Sequence, residues 1–94
     1  MYIANVVGTV VSTRKDDHLV GKKILIIQPL NVRYEPDGKC EIAVDSVGAG
    51  VGEVVMISTG SSASKVFDSQ NSPIDRAIVG IIDSIEVSGQ DVIG

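Results

Sequence analysis

Thiols, imidazoles and aromatic rings are all scarce in this chain. Cys40 is the only cysteine, so no intrachain disulfide can form, and a reducing setting is the default. His18 is the only histidine, which leaves no Cys/His cluster to hold zinc. Tyr2, Tyr34 and Phe67 are the only aromatics and lie far apart, a poor supply for a base-stacking platform. Positive charge is short as well: 8 Lys and Arg stand against 12 Asp and Glu, for a net charge of −4. The basic residues are scattered rather than gathered into the stripe that nucleic-acid binding needs. No apolar run approaches the length of a membrane span. The start, Met1-Tyr2-Ile3-Ala4-Asn5, lacks the basic opening and apolar stretch of a signal peptide. Nucleic acid, membrane and export by that route are therefore not expected.

What is plentiful is branching at Cβ. Val and Ile together number 27 and Leu three. Such side chains are stiff at the first torsion and suit pleated strands better than helices. Five apolar stretches follow: Tyr2–Thr13, Lys22–Leu30, Cys40–Val47, Glu53–Ser58 and Ala77–Val87. Turn chemistry separates them, in the charged run Arg14–His18, in Pro36-Asp37-Gly38 and in Gly48-Ala49-Gly50-Val51-Gly52. Gly48, Gly50 and Gly52 are expected to make a tight backbone turn with positive φ or close chain approach.

Ser61–Phe67 reads as a short helix with either serine placed to cap it and Val66 and Phe67 turned inward. A second helical turn is expected at Ser72-Pro73, with Asp75 in its acidic third position. With 94 residues the chain makes one domain, exposing about 5,200 Å² when folded. The fold expected is mainly β, a small five-stranded OB-like β-barrel with one short helix. Its domain covers residues 1–87, and residues 88–94 read as a mobile tail.

The strands carry too much apolar surface for a lone barrel. Ile24-Leu25-Ile26-Ile27, Val54-Val55-Met56-Ile57 and the pairs Ile78-Val79 and Ile81-Ile82 are apolar without alternation. Successive strand residues face opposite sides, so both faces are greasy. Helices normally cover the outer face of such strands, and this chain has at most one to spare. Another copy of the chain is the economical cover. Ile24, Ile26, Val54, Met56, Ile78 and Ile81 are the candidate interface positions.

No set of residues points to catalysis, a cofactor or a metal. The glycine run at 48–52 leads into a strand and lacks the following lysine with Ser or Thr, so a phosphate loop is rejected. Asp16-Asp17-His18 sits among Arg14, Lys15 and Lys22 and reads as a solvated loop. Asp45, Asp75 and Asp83 read as strand-end, cap or interface groups. The Gly-x-Ser-x-Gly pattern is absent around Gly60-Ser61-Ser62.

Longer segments carry a resemblance. They are Val7–Thr13, Leu19–Leu30, Ala43–Glu53, Thr59–Ala63 and Pro73–Asp83, in register over about residues 1–87. In these the chain resembles the pentameric vertex proteins of bacterial microcompartment shells, of the EutN/CcmL type. The resemblance implies a homopentamer in the shell of a cytoplasmic microcompartment. Such a pentamer caps the vertices and docks against hexameric shell proteins. Gly60, Ser61 and Ser62 are then expected near a narrow axial opening, where small residues permit close approach. The family often has Arg directly after this segment, whereas here Ser64-Lys65 displaces the charge by one position. Two other readings remain at this level: an OB-like oligonucleotide-binding module, and a small accessory subunit of a metabolic enzyme.

Overall fold

The computed structural model describes residues 1–67 and 73–93. Its first strand, β1 (Tyr2–Val10), is long enough to pair on both sides. It runs antiparallel to β2 (Ile24–Leu30), with Ile3 opposite Leu30 and Val10 opposite Ile24. It also runs antiparallel to β4 (Val54–Thr59), with Tyr2 opposite Ile57. β3 (Glu41–Asp45) pairs antiparallel with β2, and β5 (Arg76–Ile81) pairs antiparallel with β4. A short parallel contact of β3 with β5, Val44 opposite Ala77 and Asp45 opposite Ile78, closes the ring in the order β1-β2-β3-β5-β4. This is the expected five-stranded barrel.

Its interior is filled by alternate residues. Ala4, Val6, Leu25, Ile27, Ala43, Val55, Ile57 and Ile78 form one buried cluster, with Tyr2 packed against it. Ala49 reaches the same cluster from the β3–β4 loop. A second cluster, Val44, Ala63, Ile74 and Ala77, lies under α1 (Ser61–Val66), with Leu19, Phe67 and Val79 around it. Two bulges interrupt the alternation, between Val6 and Gly8 on β1 and at Met56/Ile57 on the β4–β5 ladder. Each lets one strand change which residues face inward.

Several local expectations are corrected. Gly60 caps α1, with φ 66° and ψ −147° and no side-chain cap bond, so neither serine does. A backbone conformation this strained for an L-residue is set by glycine instead. Ala63 and Ser64 are the buried helix residues and Val66 is exposed, whereas Phe67, just past the helix, packs against the second cluster as expected. Pro73–Asp75 has no helical turn but runs directly into β5, and the Ser72 cap expected there lies outside the described residues. Ala77–Val87 is not one strand. It breaks at Ile82–Ser84, after which β6 (Ile85–Val87) pairs with β7 (Gln90–Ile93).

Ser88 and Gly89, both with positive φ (53° and 79°), make the two-residue turn of that hairpin. Positive φ at both central positions is the type I′ pattern that matches strand twist. The tail set apart at Ser88 thus supplies the second half of a β-ribbon. No barrel strand or helix packs substantially on either ribbon strand among the described residues. The molecule is correspondingly long, 44 × 23 × 22 Å, and exposes 5709 Å², more than the expected 5,200 Å² or so.

Candidate functional site

The outer wall of the barrel is the surface that needs an account. On β1–β2–β3, Gly8 lies opposite Ile26, Val10 opposite Ile24, and Ile26 opposite Ile42. On β1–β4–β5, Ile3 lies opposite Met56 and Met56 opposite Gly80. A Cβ on Gly8 would meet Ile26 Cδ1 at 3.3 Å, and one on Gly80 would meet Met56 Cε at 3.2 Å. The two glycines leave room for Ile26 and Met56, and the outer wall carries two apolar patches, one around Ile24, Ile26 and Ile42 and one around Ile3 and Met56, with Asn5 and Gln28 paired between them. A glycine inside a strand pattern signals such close approach, and that signal in β1 and β5 was available from sequence.

The candidate interface residues do not share this wall equally. Ile24, Ile26 and Met56 are half-buried, Ile81 is 38% exposed, and Ile42, absent from the candidates, is 56% exposed. Ile78 is corrected: it pairs opposite Ile57 inside the barrel, is fully buried, and presents nothing to a neighbour. Val54, at 7% exposure, is nearly covered by its own chain.

The β3–β4 loop is built around two carboxylates. Asp45 accepts from the backbone N–H groups of Val47 (3.2 Å), Gly48 (2.9 Å) and Ala49 (3.0 Å), and Lys23 Nζ stands 3.9 Å from it. Glu53 Oε1 accepts from the Gly50 N–H at 2.7 Å. Gly48 (φ 83°) and Gly52 (φ 95°) supply the positive φ expected. Gly50 does not; its φ is unexceptional, and its N–H is its contribution. The amides a phosphate would use are already occupied by this chain's own acids, which agrees with rejecting a phosphate loop.

One end of the barrel carries a polar cluster that sequence reasoning missed. Tyr2 on β1 donates its hydroxyl hydrogen to Glu41 Oε1 on β3. Arg76 Nε on β5 lies 3.2 Å from the same oxygen, and Arg76 Nη1 lies 3.5 Å from Asp75 Oδ2. Burial first, and the Glu41 bond second, push the Tyr2 phenol up to about 12. Hydrogen bonding with Tyr2 raises Arg76 further, beyond its usual range. No spacing links residues 2, 41 and 76; strand order alone brings them together. Beside them opens a groove of 610 Å³ over the outer side of β2 and β3, with Ile24, Ile42, Val44 and Ile74 in its walls.

Gly60, Ser61 and Ser62 lie together, exposed, where β4 passes into α1. Gly60 N–H donates to the Asp75 carbonyl oxygen (2.9 Å), which fixes this junction to the start of β5. Cys40 is exposed, its Sγ 3.4 Å from Gln28 Oε1. His18 sits 2.6 Å from Asp16 Oδ1 in the exposed loop. Among the described residues no group of three His, Cys, Asp or Glu side chains is placed to hold a metal ion. No helix there is long and apolar enough to cross a membrane. Tyr2, Tyr34 and Phe67 sit in β1, in the β2–β3 loop and after α1.

Comparison with known proteins shows what the whole chain is similar to. The family model described as ethanolamine utilisation protein EutN/carboxysome matches residues 1–83. The chain is 48% identical to the microcompartment shell vertex protein GrpN of Rhodospirillum rubrum, over 92% of this chain and 97% of that protein. It is 47% identical to the carboxysome shell vertex protein CcmL of Synechococcus elongatus, over 98% of this chain and 93% of that one. The solved structure of GrpN, described as a pentameric microcompartment shell protein, superposes with a TM-score of 0.85 at 47% identity, covering 93% of this chain and 99% of that one.

Proposed function

The chain belongs to the EutN/CcmL family of microcompartment shell vertex proteins, and on that premise we propose that it caps shell vertices as a homopentamer. Its role is structural: it closes a bacterial microcompartment shell at the corners, against hexameric facet proteins, without catalysing a reaction. The observation that carries this reading is the pair of apolar patches on the outer wall, Ile24, Ile26 and Ile42 in one and Ile3 and Met56 in the other, on a barrel whose interior is already full. Apolar surface of this kind drives association at about 25 cal/mol per Å², before the costs of ordering two bodies are subtracted. A cyclic ring lets each subunit cover two different faces on two neighbours. In that ring Ile24, Ile26, Met56 and Ile81 face adjoining subunits. Gly60, Ser61 and Ser62 lie near the axis, where their small side chains allow five copies to converge.

Light scattering after size exclusion tests the ring directly. The wild-type protein is expected at five times its 9.8 kDa subunit mass. Ile26→Lys, which charges the wall without touching the interior, is expected to give folded monomers. A wild-type monomer at micromolar concentration would refute the reading. So would Ile26→Lys running as an intact pentamer, since it would remove the wall as the driving surface. Co-expression with hexameric shell proteins tests the vertex role: closed shells should form with this protein and open ones without it.

A further inference from the structure

The β6–β7 ribbon and the groove beside Arg76 make a matched pair, and we infer that the ribbon of one subunit lies in the groove of the next. This rests on the ring reading above. A two-stranded hairpin is at best marginally stable alone in water. Here it has one apolar side, Ile85 and Val87 with Val92, and an acidic one, Glu86 opposite Asp91. No strand or helix of its own barrel packs substantially on it among the described residues, and Ile85, Val87 and Val92 are only partly buried, which leaves this side open to a partner.

It cannot fold back into its own groove. The ribbon leaves the Ile81 end of β5, whereas the groove lies at the Arg76 end of the same strand. Ile82 N–H is pinned to the Val54 carbonyl oxygen at 2.8 Å, which leaves Asp83 and Ser84 as the whole joint. Two unlike surfaces at opposite ends of one strand give a head-to-tail contact, the kind that closes into rings.

Charge fits the same pairing. From Ile82 onward the chain carries Asp83, Glu86 and Asp91 and no Lys or Arg. In the groove, Glu41 and Asp75 are both engaged by Arg76. Lys15 donates to the Ser12 carbonyl oxygen at 2.9 Å and has no carboxylate within ion-pair distance among the described residues. It is thus placed to receive a neighbour's acid, while Ile24, Ile42 and Val44 receive the aliphatic side.

The native Cys40 lines this groove and is exposed, so it serves as the reporter. Ile85→Cys, Val87→Cys and Val92→Cys are made one at a time in the full chain and mildly oxidised. At least one is expected to give a ladder of covalent oligomers on a non-reducing gel, ending at the closed ring. The ladder should vanish in a Cys40→Ser background and weaken at least several-fold with Ile42→Lys. A pentamer by light scattering that yields no Cys40-dependent cross-link from any of the three would overturn the ribbon's placement and leave the ring reading standing. A cross-linked species that runs as a single chain would overturn it too, by showing the ribbon on its own barrel. Monomers from the unmutated protein would instead remove the ring.

Discussion

The barrel and the ribbon are both antiparallel β-structure rich in Val and Ile, yet only one of them is self-sufficient. Each barrel strand has two partners, and side chains such as Leu25, Ile27, Val55 and Ile57 are fully buried. Ribbon strands have one partner each, and Ile85, Val87 and Val92 are only partly buried. Composition therefore does not separate a stable element from a dependent one. What separates them is whether the chain itself supplies the second layer.

Charging an aliphatic position in each region should break the comparison most sharply. Val55→Lys would bury an ion in a filled interior, at a cost on the order of 5 kcal/mol, and is expected to leave the protein unfolded or insoluble. Val87→Lys should leave the barrel's melting temperature within a few degrees of wild type and act instead on oligomer mass. Circular dichroism melts paired with light scattering read both; loss of the barrel fold in Val87→Lys would make the ribbon part of one cooperative unit with the barrel.

A smaller effect is expected at the helix entry. Gly60→Ala forces an L-residue to φ 66° and ψ −147° and should cost about 1–3 kcal/mol in urea unfolding. Gly89→Ala, at the ribbon turn, should leave barrel stability unchanged.

Alkaline titration gives the next test. The Tyr2 phenol is raised to about 12 in the fold, so the unfolded chain loses that proton first. Its contribution is fully present below pH about 10 and is lost as pH rises through the folded value. Tyr2→Phe should flatten the alkaline fall in stability, with no change near neutrality of pH-dependent origin. An unchanged alkaline slope would mean the Tyr2–Glu41–Arg76 cluster does not hold the proton.

The smallest effect belongs to Asp16. The His18 backbone N–H, then its ring, holds this carboxyl below its usual range, so any support it gives is present above the unfolded value and lost as pH falls through the folded one. The pair is exposed to solvent, and Asp16→Ala should change thermal stability by less than the error of the measurement.

Sequence made the barrel legible because β-branched runs and turn residues alternate along it, and the glycine loop because positive φ leaves few choices. It did not show which wall residues face outward. Two bulges shift the alternation, and that is why Ile78 was expected outside and lies inside. Ser88-Gly89 was readable as a hairpin turn but lay beyond the last strong apolar run. The Tyr2–Glu41–Arg76 cluster had no sequence signal, because it is a product of strand order across three distant segments. The cap at Gly60 was masked by two adjacent serines, each a good cap by type.

Closure of the barrel has one more consequence, for misassembly. A sheet joined end to end leaves only short unpaired stretches of backbone, such as residues 41–43 beside the two-residue contact of β3 with β5, so the barrel is a poor template for strand addition. Among the described residues the ribbon strands β6 and β7 are open along their whole outer sides, and they are short and bear Glu86 and Asp91. Like charges on short flanks repel identical copies, so runaway stacking of ribbons is opposed along these open sides.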